Sequence, residues 1–145
     1  MQLEELADRL ALRQVVEQYA RGADTRDAVL YADAFTDDGV LVTNRGVEIR
    51  GREQMLTVAP RLGRYRATMH FVGNHYVDFD PADPDRATGQ AYCIARHVSD
   101  AEEPPRDYVM HIVYHDEYRR TAAGWRIANR RLELLWDEEH PLRTV

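Results

Sequence analysis

The sequence predicts an α+β fold with its helices at the start and a mostly antiparallel sheet after them. Three observations predict it. Apolar residues recur at three- and four-residue intervals over roughly the first sixty positions, the spacing of amphipathic helices. From Arg66 onward come four segments of ten or more residues rich in Tyr, Val, Phe and Ile, the residues that suit a pleated surface. The polar breaks between them, Asp80 to Asp85, Asp100 to Pro105 and Thr121 to Gly124, are short, and short loops join neighbouring antiparallel strands. One domain over residues 1–145 is expected, since a chain of this length builds a single core.

In order, Leu3, Leu6, Leu10, Val15, Val16 and Tyr19 place a first helix running to about Ala20. Gly22 relaxes the backbone, and Thr25 is positioned to cap a second helix carrying Ala28, Tyr31, Ala32 and Phe35. Asp24 falls in the connection. Asp37-Asp38-Gly39 reads as a turn, and Val40 to Val42 with Val47 to Ile49 reads as a hairpin around Asn44-Arg45-Gly46. A third helix is expected over Gly51 to Leu62, distorted near Pro60. Long strands are expected at about 66–79, 86–99, 106–120 and 124–136.

Alternation sorts the strand faces. Tyr108, Met110, Ile112, Tyr114 and Tyr118 share the side suited to a core or pocket, and Val109, His111, Val113 and His115 share the other. On the preceding strand Ala87, Gly89, Ala91, Cys93 and Ala95 form a row of small side chains ending in His97. Such a row leaves room for an enclosed pocket. Arg130 and Arg131 point to opposite faces, so at most one of them faces it.

Composition excludes several functions. The net charge of −6 gives no basic face for phosphates, and no apolar run reaches the ~20 residues a membrane span needs. The acidic, helix-like start lacks the pattern of a secretory signal, so a cytoplasmic location is expected. All 19 basic residues are arginine, so no side-chain amine is present for Schiff-base chemistry. The single cysteine, Cys93, sits in an apolar run and reads as packing.

Motif-based chemistry is equally narrow. His111 and His115 share a strand face but stand about 13 Å apart at about 3.3 Å per residue, too far for one ion. No metal and no cofactor are expected. There is no Gly-x-Ser-x-Gly and no glycine-rich phosphate loop. General acid–base chemistry is left, and it needs an imidazole in an apolar setting, a carboxylate to aim it, and donors where charge develops. In Thr68-Met69-His70-Phe71-Val72-Gly73-Asn74, His70 is set among apolar residues. It reads as a base aimed by Asp24 or as a core histidine satisfied by a carbonyl.

Tyr19-Ala20-Arg21-Gly22-Ala23-Asp24-Thr25-Arg26-Asp27 with Phe35-Thr36-Asp37-Asp38-Gly39 resembles the opening of SnoaL-like proteins in the nuclear transport factor 2-like superfamily. The Thr68 to Asn74 stretch resembles that group's histidine strand. Asp116-Glu117-Tyr118-Arg119-Arg120, Gly124-Trp125-Arg126-Ile127 and Arg130-Arg131 resemble its ending. The look is nearest to the scytalone dehydratase and hexachlorocyclohexane dehydrochlorinase branch. That resemblance implies a cone-shaped, curved sheet wrapped around N-terminal helices and enclosing one pocket. It implies an Asp24–His70 dyad, with His97 matching the dehydratase's second histidine. Ala23 and Tyr114 stand where that dehydratase has a tyrosine and an asparagine, so a different substrate is implied.

The function so implied is a cofactor-independent lyase or isomerase acting on a small, largely apolar molecule. Catalysis falls to Asp24, His70 and His97, with Tyr19, Phe71, Met110, Ile112, Tyr114 and Arg131 holding the substrate. The alternatives are a non-catalytic binding or partner-subunit cone, and a polyketide cyclase or epoxide hydrolase built on carboxylates. A homodimer or higher homo-oligomer is expected, because an open sheet leaves a face to cover on its Val109/Val113 side.

Overall fold

The computed structural model describes residues 1–143; residues 144 and 145 of the domain expected over 1–145 lie outside the described residues. The helices are α1 (Leu3–Thr25), α2 (Ala28–Ala32), α3 (Gly51–Met55) and α4 (Val58–Arg61), followed by a 3₁₀ turn at Leu62–Arg64. The strands are β1 (Phe35–Val42), β2 (Glu48–Arg50), β3 (Ala67–Phe79), β4 (Arg86–Ser99), β5 (Arg106–Thr121) and β6 (Gly124–Pro141). They form one six-stranded sheet in the order β2-β1-β6-β5-β4-β3. The meander β3 to β6 is antiparallel as expected, whereas β1 joins β6 in parallel. The result is an open, curved, mixed sheet with its helices packed against one face.

Several local expectations are corrected. α1 continues past Gly22 to Thr25, so Asp24 belongs to its last turn rather than to a loop. Gly22 is needed for proximity: a Cβ there would lie 2.6 Å from the Tyr31 backbone nitrogen, where α2 crosses α1. Leu3, Leu6 and Leu10 are exposed, and the buried stripe is Leu12, Val15, Val16, Tyr19 and Ala23. At about 100° per residue the two sets fall on far sides of the helix. Asp27, not Thr25, caps α2 by accepting the Leu30 amide. α2 ends at Ala32, and Phe35 opens β1 instead. Asp37-Asp38-Gly39 lies inside β1, where the register against β6 shifts between Phe35 and Val40. Such an irregularity absorbs the extra residues that a turn signal announces. The third helix is broken into α3, α4 and the 3₁₀ turn, and β6 runs on to Pro141.

The small residues of β4 explain how the interior is filled. Ala95 faces His70 of β3 and Met110 of β5, Cys93 faces Val72 and Ile112, and Ala91 faces His75 and Tyr114. Each small side chain lets a larger one on either neighbouring strand lean over it. Ala91, Cys93 and Ala95 are buried beneath those neighbours, so the row serves packing of large inward groups. Gly89 is the limiting case, because a Cβ there would meet the Tyr76 carbonyl oxygen at 2.5 Å and the Tyr118 ring at 3.0 Å.

Candidate active site

His70 is carried on the inner face of β3, and Asp24 reaches it from the last turn of α1. Asp24 Oδ1 lies 2.7 Å from His70 Nδ1, and Oδ2 accepts the His70 backbone amide at 2.8 Å. The Thr68 hydroxyl donates to Oδ1 at 2.9 Å. Because a carboxylate only accepts, Nδ1 carries the proton and Nε2 is the free ring nitrogen. Burial by itself raises the Asp24 carboxyl. The hydrogen bonds from the His70 ring and amide and from Thr68 outweigh it, holding the group below its ordinary value. The His70 side chain is 8% exposed and that of Asp24 25%. A groove of about 410 Å³ between α1 and β3, lined in part by Arg13, Glu17, Arg21 and Phe71, reaches this pair from outside.

His97 of β4 lies next to His70, with ring centroids 5.9 Å apart. Its Nδ1 donates to the Tyr108 carbonyl at 3.1 Å. Burial pushes this imidazole below its ordinary value, only partly opposed by that bond. A neutral His97 with Nδ1 so committed presents Nε2 as an acceptor. Tyr65 and Tyr108 flank it, at centroid distances of 5.0 and 5.8 Å. Tyr108 is anchored through its hydroxyl to Asp137 at 2.8 Å.

Beneath the histidines is a buried ion pair that sequence reasoning missed. Arg130 Nε and Nη2 donate to Asp116 Oδ1 and Oδ2 at 2.8 and 2.7 Å, and both side chains are fully buried. The guanidinium lies against the rings of both Tyr19 and Tyr114, 4.3 and 4.1 Å from their centroids. Tyr118 donates to Asp116 at 2.7 Å and accepts from His75 Nε2 at 3.0 Å. Burial pushes the Tyr114 and Tyr118 phenols well above their ordinary value, so both stay protonated. Arg130 Nη1 is buried without a hydrogen-bond partner among the described residues. Asp116 was visible in the alternation, since it falls between Tyr114 and Tyr118 on the inward face. A charged residue in an otherwise aromatic row was the available signal.

The structure brings together Asp24, His70 and His97, and sets Tyr19, Met110, Ile112 and Tyr114 on the same interior side. Two expected binding residues do not share that interior side, although Phe71 borders the groove that reaches the dyad. Phe71 is 65% exposed on the outer face of β3, because adjacent strand residues point to opposite faces. Arg131 is exposed on the outer face of β6, and Arg130 takes the inward position. His111 and His115 also face outward, where they contact Glu138 and Glu133. Trp136 stacks on His111 with centroids 4.1 Å apart. Among the described residues no three His, Cys, Asp or Glu side chains converge as a metal set, and no helix is long and apolar enough to cross a membrane.

A family model described as a SnoaL-like domain matches residues 4–131. An uncharacterized protein of Mycobacterium tuberculosis is 28% identical over 131 residues, covering 87% of this chain and 84% of its own. A provisionally assigned scytalone dehydratase from Novosphingobium aromaticivorans superposes with a TM-score of 0.83 at 20% identity, over 97% of this chain and 92% of that one. A type 3 hexachlorocyclohexane dehydrochlorinase from Novosphingobium barchaimii superposes with a TM-score of 0.80 at 20% identity, over 99% and 95%. At these identities the structural likeness is one of fold.

Two outcomes follow from the buried groups. His75 and His97 are both held below their ordinary value of 6.5, chiefly by burial. The unfolded chain therefore binds those protons first, so this part of the stability is whole above pH 6.5 and is lost as pH falls through the folded values. Denaturant midpoints measured from about pH 7.5 to 5 should fall, and His75→Phe or His97→Phe should each flatten the slope. Arg130→Met strands a buried carboxylate and should cost about 3–5 kcal/mol in chemical denaturation, much of it recovered when Asp116→Leu is added.

Proposed function

The chain belongs to the SnoaL-like domain family, and from its site we propose a cofactor-independent lyase or isomerase of the dehydratase type acting on a small, largely apolar substrate. One observation carries this reading: the 2.7 Å contact between His70 Nδ1 and Asp24 Oδ1, which commits Nδ1 to the carboxylate and leaves Nε2 as the ring nitrogen available to a substrate. Asp24 accepts the Nδ1 proton and stabilises the imidazolium as it forms. His70 Nε2 removes a proton from a carbon of the substrate. The electron pair of that C–H bond becomes a C=C bond, and the leaving group departs with its own pair as hydroxide or halide.

His97 takes the part of an acceptor that orients a substrate hydroxyl, not the donor it would be as an imidazolium. The Tyr65 and Tyr108 rings flank it. Tyr19 packs edge-on against His70 and, with Tyr114, separates the dyad from the Arg130–Asp116 pair, whose charges cancel. The carboxylate-based alternative is less well supported, since Asp116 is committed to Arg130 and Tyr118 and Asp137 to Tyr108.

The first probes are water loss from scytalone and halide release from hexachlorocyclohexane, followed by related alicyclic alcohols and halides. Asp24→Asn and His70→Ala should each lower turnover about 10²- to 10⁴-fold while circular dichroism stays native. Wild-type rates in either variant would overturn the reading, and saturable binding without turnover across the panel would replace it with a binding cone.

The same reading includes a homo-oligomer, with one change of surface. Val109 and Val113 are already covered, at 2% and 5% exposure. The open apolar groups are Phe71, Tyr92, Ile94, Leu135 and Trp136, around a groove of about 250 Å³. Light scattering should give a dimer or larger species, and Trp136→Glu should shift it toward monomer.

A further inference from the structure

We propose that Arg26 and Thr68 are positioning residues of the dyad, the guanidinium orienting the Thr68 hydroxyl so that its hydrogen is delivered to Asp24. The inference rests on the lyase reading for its functional meaning and on hydrogen-bond directions for its content. Arg26 Nη1 donates to Thr68 Oγ1 at 3.0 Å and to the Asp24 carbonyl at 2.6 Å, while Nη2 reaches the Tyr65 carbonyl at 3.3 Å. Thr68 Oγ1 is 2.9 Å from Asp24 Oδ1. Arginine has no acceptor and a carboxylate has no donor, so the direction of each bond is determined. The hydroxyl accepts from Arg26 and must give its hydrogen to Asp24.

The backbone is arranged for this contact. Arg26 closes α1 in the left-handed region at φ 57°, a conformation that non-glycine residues adopt at a cost. From there its side chain folds back over the last turn of the helix, where Asp24 sits. Thr68 precedes His70 by two residues on β3, so the strand periodicity that turns the imidazole toward Asp24 turns the hydroxyl the same way. Asp24 Oδ1 is thereby shared between the ring proton and the hydroxyl, and Oδ2 takes the His70 amide. With both oxygens committed, the carboxylate cannot rotate away, and the His70 proton stays on Nδ1.

The relay also reaches the second histidine. The same guanidinium holds the backbone carbonyl of Tyr65, the residue whose ring packs on His97. Other charged groups border Asp24 on the groove side, namely Arg13, Glu17 and Arg21 of α1, with Arg13 paired to Glu17 at 2.8 Å. None of these touches the carboxylate oxygens, whereas Thr68 does.

The test follows Asp24 by carbon-13 carboxyl titration and His70 by nitrogen-15 ring shifts in the intact chain. In Thr68→Val the Asp24 carboxyl should titrate at higher pH than in the wild type, and the Nδ1–H tautomer of His70 should lose population. Thr68→Ser, which keeps the hydroxyl, should restore both, and Arg26→Gln should move both in the same direction as Thr68→Val. On a substrate found by the panel, Thr68→Val should lower kcat about tenfold with little change in KM. Unchanged titration and tautomer in Thr68→Val and Arg26→Gln would overturn the inference. If those signals move while Asp24→Asn and His70→Ala keep full activity, the positioning role stands and the lyase reading falls.

Discussion

The interior depends on one buried ion pair. Arg130 and Asp116 face each other directly across β6 and β5, at full burial. Two charges so placed are costly to desolvate, and they are tolerated only as a complete, hydrogen-bonded unit. Asp116 meets that condition with three donor contacts from Arg130 and Tyr118. Any slip of β6 against β5 would separate the pair, so it pins the register of the central strands. The same guanidinium lies against Tyr19 of α1, tying the long helix to the sheet.

That tie positions the dyad. α1 carries Tyr19 in its buried stripe and Asp24 little more than one turn later, so seating Tyr19 over Arg130 places Asp24 against β3. The carboxylate then stands at the negative end of its own helix, an unfavourable place that its hydrogen bonds must offset. Those bonds come from the ring and amide of His70 and from Thr68. The polar interior thus has two parts with different tasks. One is a closed network that locks the strands, and the other is a carboxylate–imidazole pair with a free Nε2 and a groove leading to it.

Much of the fold was legible because it follows from periodicity. The four long strands, their antiparallel order and the inward row from Ala87 to His97 need only alternation and short polar breaks. The helix ends were not legible, since Gly22 looks like a stop and acts as a contact point for α2. Leu3, Leu6 and Leu10 look like a core stripe because apolar spacing gives an angle but not which side meets the sheet. Asp37-Asp38-Gly39 has the composition of a turn, yet pairing with β6 absorbs it into β1.

At the site, the residue types and the family likeness picked out Asp24, His70 and His97 from the sequence. Period-two alternation also placed Tyr114 inward and Arg130 opposite to Arg131, and it should have placed Phe71 outward. Only the tertiary structure decided which arginine enters the core, because sequence alternation has no absolute sense until helices cover one face. Only it decided that Asp116 is that arginine's partner, that Arg26 reaches Thr68, and that His97 spends Nδ1 on a carbonyl. Local sequence determines which side chains can share a face. Which of them meet is determined by packing elements distant along the chain against one another.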